Sequence, residues 1–198
     1  YLLVAAKMGD SVASGIQDHG LRRFQANEFK AMLGYEPNLE EDTHFWRLVA
    51  WLCLIGPCTR KFTPRSFILI CMGYQCLASL GIVATFCVAS PLSGLLPGSA
   101  LLFLLKAAVN VHTMASAACD LVLTTLLASA IVREERGTIL GLDNAFVLMP
   151  PLASPGLSAA AYTAGGVGGA YGASFLLYLG IWLMIRRFIL PRYHEKGG

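Results

Sequence analysis

The stretch that decides the fold is Ala164-Gly165-Gly166-Val167-Gly168-Gly169-Ala170-Tyr171-Gly172-Ala173-Ser174, which continues into an apolar run over residues 175–185. In water, each glycine inside a helix costs about 1 kcal/mol relative to alanine, so this run would be a poor helix. In a bilayer the backbone must satisfy its own hydrogen bonds, which favours a helix in spite of the glycines. Gly165, Gly169 and Gly172 then share one stripe, along which a neighbouring backbone or a flat ligand can approach closely. The segment therefore predicts a membrane-embedded part of a larger assembly.

The composition of the whole chain supports a membrane location. Of its 198 residues, 56% are hydrophobic and 14% are charged, and the mean hydropathy is +0.60. Soluble domains carry about 25% charged residues. The net charge of +3 is small and the basic residues are scattered, which argues against nucleic acid as a partner. The six cysteines lie mostly in apolar stretches, where cysteine behaves as a small hydrophobic residue.

The hydropathy pattern divides the chain near residue 43. Residues 1–43 are polar enough to form an extramembrane N-terminal segment, with turns expected at Gly9-Asp10-Ser11, Gly15 and Gly20. Residues 44–198 are expected to form a membrane-embedded helical domain. The predicted fold class is therefore an all-α, polytopic helical membrane protein.

The number of crossings depends on four apolar stretches, at 45–58, 66–90, 99–132 and 159–188, with a loop expected at 137–158. The first is shorter than the roughly 20 residues that a crossing needs. The basic loop 59–65 and the basic end 186–192 should lie on the same side of the membrane, which requires an even number of crossings between them. We therefore favour three transmembrane helices, with 99–132 re-entrant, surface-lying or buried against partners. A topology with four transmembrane helices is the alternative.

Two polar residues lie deepest in an apolar stretch, His112 and Asp120. Ionisable groups there are costly and mark functional sites by default. The imidazole of His112 is able to ligate the magnesium of a chlorophyll or the iron of a haem; a hydrogen bond to a neighbouring helix and contact with a quinone are the alternatives. Asp120 is expected to pair with Lys106 or with an arginine of a partner subunit. His44, at the start of the first apolar stretch, is either a pigment ligand at the membrane boundary or a solvated interfacial histidine.

The sequence contains no nucleophile–base constellation, phosphate-binding loop or metal-ligand cluster that would indicate catalysis. The glycine-rich run opens a membrane helix without a βαβ context, so it is not a dinucleotide-binding fingerprint. The chain is accordingly not expected to be an enzyme.

Short motifs spread along the chain occur in the order found in a known family. Gly9-Asp10 is similar to the family's early Gly-Asp turn, Gly56-Pro57 to the end of its first helix, and Thr63-Pro64-Arg65 to the loop that follows. Tyr162-Thr163-Ala164-Gly165, with the glycines up to Ala170, is similar to the start of its last helix. These motifs resemble the L subunit (subunit XI) family of the photosystem I reaction centre. The family's chlorophyll-binding glutamate and histidine fall on Phe45 and Ala50, so neither ligand is carried over.

The resemblance implies a non-catalytic subunit of the chloroplast thylakoid membrane. Such a subunit would bind chlorophyll and carotenoid, dock on other subunits of the complex, and contact lipids and antenna proteins. The expected cofactor contacts are His44, His112, Gly165 and Gly169, and no metal site of the chain's own is expected.

Two hypotheses from other classes compete with this one. The first is a membrane anchor or accessory subunit of a respiratory complex in the mitochondrial inner membrane, with haem b or quinone beside His112. It is suggested by residues 110–120, which are loosely similar to the membrane anchor of succinate dehydrogenase. The second is a small transporter, which the lack of an internal repeat and of paired charges in the spans disfavours.

Overall fold

The computed structural model describes residues 2–24, 45, 48–49, 52–53, 56–92, 98–130 and 136–189. Its helices are α1 (Leu2–Phe24), a short α2 (Gly56–Lys61), α3 (Pro64–Leu92), α4 (Gly98–Ala130) and α5 (Arg136–Met184). A π-helical turn, Ile185–Ile189, continues α5. The described residues contain no β-strand, and the prediction of an all-helical membrane protein is confirmed.

Three helical stretches are long and apolar enough to cross a membrane: Pro64–Ala84 in α3, Leu102–Ser129 in α4, and Leu152–Phe188 in α5 and its extension. The number agrees with the three crossings favoured from the sequence, but the segments differ. Residues 99–132 were expected to be re-entrant, surface-lying or buried against partners, whereas Gly98–Ala130 is one uninterrupted helix, long and apolar enough to cross. Two of its polar side chains contact other helices: His112 bonds Tyr178, and Asp120 pairs with Lys7. In the stretch 45–58, residues 46–47, 50–51 and 54–55 lie outside the described residues, so its crossing stays a prediction.

The start of α3 follows from its sequence. Pro64 occupies the first helical turn, where its missing N–H costs nothing. The Thr63 hydroxyl oxygen accepts a hydrogen bond from the Ser66 backbone N–H at 3.3 Å, and the Thr63 carbonyl accepts one from the Phe67 N–H at 3.0 Å. Thr63 therefore caps α3 and fixes the basic stretch before it at the end of a membrane-crossing helix.

The end of α5 lies beside the start of α3. The Trp182 indole Nε1 donates a hydrogen bond of 3.2 Å to the Leu69 carbonyl oxygen. Arg186 and Arg187 therefore lie at the same end of the bundle as Arg65. That the two basic segments share one side of the membrane stays a prediction.

Helix α1 is part of the bundle. Helix α1 packs mainly along α5, and also contacts α4. The turns predicted at Gly9-Asp10-Ser11, Gly15 and Gly20 are wrong, because all of these residues lie inside α1. A Cβ atom on Gly9 would lie 2.8 Å from Ile181 Cδ1, and one on Gly15 would lie 2.7 Å from Ser154 Cβ. These two glycines let α1 approach α5 closely, so they serve packing rather than chain reversal.

Two apolar clusters fill the bundle. The larger one joins α1, α3, α4 and α5, and its fully buried members include Ala6, Met72, Cys119 and Tyr178. The smaller one joins α3, α4 and α5 around Ile82, Leu105 and Tyr171. Cys71, Cys76 and Cys119 are buried free thiols, as expected of cysteines that act as small hydrophobic residues.

The loop predicted at 137–158 is wrong, because helix α5 already begins at Arg136 and continues through its prolines. The helix breaks later, inside the glycine-rich run. Gly165 has φ −152° and ψ 23°, and Gly166 has φ 59° and ψ −146°. The positive φ of Gly166 is a conformation that side-chain-bearing residues disfavour. The expected continuous helix over 159–188 is therefore kinked at Gly165-Gly166.

Candidate functional site

The polar residues of α1 face into the bundle. Lys7, Asp10, Ser14 and Gln17, which we call the inner polar face of α1, are spaced by three and four residues and so lie on one side of the helix. Lys7, Asp10 and Gln17 are 6%, 4% and 3% exposed. Lys and Asp are almost never fully buried unless they are paired. The partners of this face therefore define the candidate functional site.

Lys7 is held by α4. Its Nζ donates a hydrogen bond of 2.9 Å to Thr124 Oγ1 and lies 3.7 Å from Asp120 Oδ1. The Asp120 side chain is 58% exposed, so this ion pair lies at the edge of the bundle rather than in its centre. The sequence suggested Lys106 as the partner of Asp120 within the chain. That choice is wrong, because 14 residues along one helix correspond to about 21 Å.

Asp10 is held by α3. Gln75 is fully buried, and its Nε2 donates a hydrogen bond of 3.1 Å to Asp10 Oδ1. Burial raises the pKa of Asp10 from 3.8 to about 7; hydrogen bonding by Gln75 and the charge of Lys7 oppose this rise, and the charge of Asp120 adds to it. Gln75 Oε1 has no hydrogen-bond partner among the described residues, although it is buried. Asp10 is thus a buried acid, and Gln75 beside it carries a buried acceptor without a donor.

Two further polar contacts anchor α1 nearer the middle of the membrane helices. Gln17 Nε2 donates a hydrogen bond to Ser79 Oγ on α3. Ser174 on α5 donates its hydroxyl proton to the Ala13 carbonyl of α1 at 3.0 Å and is also within reach of its own Ala170 carbonyl. Together these bonds fix both the register and the rotation of α1 against α3 and α5.

His112 lies inside the bundle, in a hydrogen bond to another helix. Its Nε2 lies 2.9 Å from the Tyr178 hydroxyl of α5, and both side chains are buried. Ser14 on α1 is a second hydrogen-bond partner of Tyr178. The bond to Tyr178 is the hydrogen-bonded alternative considered from the sequence. A magnesium or iron ion on Nε2 would first have to displace the Tyr178 hydroxyl.

The glycine stripe behaves differently from its prediction. Cβ atoms built on Gly165, Gly168 and Gly172 would meet nothing within 4 Å. A Cβ on Gly169 would overlap the carbonyl oxygen of Ala161, which belongs to the same helix beyond the kink. Among the described residues, no other helix therefore packs closely against this glycine stripe. Gly169 is instead required where the kink brings the two parts of α5 together, a contact that we call the fold-back of α5.

An apolar groove lies on the outer surface between α3 and α5. Its volume is about 430 Å³, and its lining residues are Leu69, Ile70, Gly73, Tyr74, Cys76, Leu77, Leu179 and Trp182. At one end the Arg186 guanidinium lies 5.2 Å from the centre of the Trp182 ring, a cation–π contact. The groove thus offers a flat apolar surface with a basic end.

The sequence alone missed Lys7, Asp10, Gln17 and Gln75. For the three residues of α1, the signal was their spacing among the apolar Leu3, Ala6, Ala13 and Ile16. It was overlooked because turns were expected within residues 9–20, where the structure has a helix. His44 lies outside the described residues. The described residues hold no group of three or more His, Cys, Asp or Glu suited to a metal ion.

Comparisons with known proteins gave no relative. No protein-family model, curated protein or solved structure matches the chain.

Proposed function

We propose that the chain is a non-catalytic integral membrane subunit that holds an elongated apolar ligand, of the carotenoid class, in the α3–α5 groove. The observation that carries this proposal is the groove itself, which lies on the stretches Pro64–Ala84 and Leu152–Phe188. Gly73 leaves its floor open, and Tyr74 and Trp182 supply aromatic walls. A polyene needs apolar contact along its length and no ligating atom, which is what this lining offers.

The wider assembly is proposed from the motifs that resemble the L subunit family of photosystem I. In this proposal the chain serves a photosystem I-type complex of the chloroplast thylakoid membrane and stabilises contacts among core subunits and antenna proteins. Carotenoid is the pigment that the groove favours. Chlorophyll ligation by His112 needs the Tyr178 hydrogen bond to open, so it is the second pigment of the proposal.

A matched pair of glycine variants on α3 tests the groove. Leucine at Gly73 would fill the floor beside Trp182, whose Nε1 lies 4.0 Å from the position of the added Cβ. Leucine at Gly81 adds the same side chain to the same helix, where a Cβ meets nothing within 4 Å. The full chain is purified from pigment-containing membranes, and its bound carotenoid is quantified by absorption spectroscopy and mass spectrometry. We expect Gly73→Leu to lose most of the carotenoid and Gly81→Leu to retain it.

Other results have distinct meanings. Equal carotenoid in both variants would show that the groove is not the binding site. A wild-type chain that carries a polyprenyl quinone and no carotenoid would replace the photosystem hypothesis by the respiratory one. A chain that carries only phospholipid would refute the pigment proposal altogether.

A further inference from the structure

A second site, independent of the groove, lies where α1 meets α3. Asp10 is 4% exposed and Gln75 is fully buried, and one hydrogen bond of 3.1 Å joins Gln75 Nε2 to Asp10 Oδ1. The amide group that bonds Asp10 through Nε2 also carries Oε1 as an acceptor. This oxygen has no hydrogen-bond partner among the described residues. A buried acceptor without a donor is costly, so an additional donor is needed at this point.

The charges around the pair are one positive charge short. Lys7 on the same helix pairs with Asp120 on α4 and its charge also acts on Asp10, so one ammonium group faces two carboxyl groups. An ionised Asp10 would therefore add an unbalanced negative charge inside the bundle. The other titratable groups that interact with Asp10 are the Cys119 thiol of α4 and the Tyr178 hydroxyl of α5, and Cys71 of α3 lies near Cys119. Thiol and phenol groups are either neutral or negatively charged, so none of these three supplies a positive charge.

We propose that Asp10 and Gln75 form a proton-binding site, in which the acid and the amide close a ring of two hydrogen bonds. Gln75 Nε2–H donates to Asp10 Oδ1, and the bound proton on Asp10 Oδ2 is donated to Gln75 Oε1. The proton comes from water, no electron is transferred, and its release restores the carboxylate. One proton thus satisfies the orphaned amide oxygen and removes the unbalanced charge at the same time.

The surroundings favour a proton over a metal cation. The pair offers one carboxyl group and one amide oxygen, whereas calcium takes 6–8 oxygen ligands and magnesium demands an octahedral set. The ammonium group of Lys7 is close enough to influence Asp10 and repels a second cation. The raised pKa of Asp10, about 7, agrees with a site that loads and unloads its proton near neutral pH. Proton release leaves a carboxylate facing an amide oxygen, which weakens the contact between α1 and α3.

Infrared difference spectroscopy tests the site directly. The full chain, labelled with ¹³C at its aspartate side-chain carboxyl groups, is reconstituted in liposomes and titrated across the neutral range. We expect one labelled C=O band of a protonated carboxyl group that persists to about neutral pH and then disappears. Asp10→Asn should abolish this band. Asp18→Asn, which alters an exposed carboxylate on the same helix, should leave it unchanged.

The outcomes that overturn the proposal are equally definite. The absence of a labelled carboxyl band in the wild-type chain at pH 6 would do so, as would its persistence in Asp10→Asn. Loss of the band on addition of sodium at constant pH would identify a cation site instead. The wild-type titration decides the matter even where a variant fails to fold. Asp10→Asn is itself expected to fold, because an asparagine amide can form the same two-bond ring with Gln75 at every pH.

Discussion

The kink of α5 predicts that two neighbouring glycines respond oppositely to the same substitution. Gly169 and Gly172 are both half-buried in the same helix. A Cβ on Gly169 overlaps the Ala161 carbonyl oxygen and lies 3.2 Å from its carbon, whereas a Cβ on Gly172 meets nothing within 4 Å. Alanine at either position changes the intrinsic helix propensity equally. The difference in stability between the two variants therefore measures the overlap alone.

The expected magnitudes follow from two terms. Replacing glycine by alanine in an unobstructed helix stabilises it by up to about 1 kcal/mol, which is the expectation for Gly172→Ala. Forcing an atom into a filled space costs roughly 1–3 kcal/mol, and here the obstacle is backbone, which moves less easily than a side-chain end. Gly169→Ala should therefore be about 2 kcal/mol less stable than Gly172→Ala.

The assay is reversible unfolding of the full chain in mixed micelles, followed by helix content and tryptophan fluorescence. Gly166→Ala serves as a third variant, because its φ of 59° is unfavourable for alanine even where space is free. Equal unfolding free energies for Gly169→Ala and Gly172→Ala would refute the fold-back of α5. Loss of assembly in Gly172→Ala without loss of stability would instead support an external partner on the glycine stripe.

Two further predictions concern the polar interior. Asp10 binds its proton more tightly in the folded chain, with a pKa of about 7, than in the unfolded chain at 3.8, so stability should fall as pH rises between these values and stay level above them. The free energy of unfolding should fall by at most about 1.4 kcal/mol per pH unit. Unfolding midpoints at pH 5 and pH 8 should therefore differ in the wild-type chain but not in Asp10→Asn. A pH dependence that survives the substitution would implicate another group. Tyr178→Phe removes the hydroxyl that His112 Nε2 bonds at 2.9 Å and should destabilise the chain by about 1–3 kcal/mol. Double-mutant cycles with His112→Phe check this, because an uncoupled pair would contradict the bond.

The membrane character of the chain could be predicted from composition and hydropathy, because lipid leaves the backbone only a few ways to satisfy its hydrogen bonds. The apolar runs at 66–90 and 159–188 gave two crossing helices without any tertiary information. The helix expected from residue 66 begins at Pro64, within two residues of that prediction.

The crossing by α4 and the polar site could not be predicted in this way. The distribution of basic residues argued against a crossing by 99–132, and the partners of its Asp120 and His112, which are Lys7 and Tyr178, lie on other helices. The glycines of α1 likewise suggested turns, whereas they lie in a helix that packs on the bundle. Whether a polar side chain is costly depends on the group opposite it, and that group is remote in sequence.

The sequence by itself determined that this is a helical membrane protein, because the length and apolarity of a segment are properties of the segment alone. Only the tertiary structure decided that α1 turns its polar face inward, that Asp10 meets Gln75, and that Gly169 serves a kink rather than a neighbouring helix. Each of these depends on how residues far apart in the chain approach one another. Burial, hydrogen-bond partners and steric contact are properties of pairs, and the pairs exist only in the folded bundle.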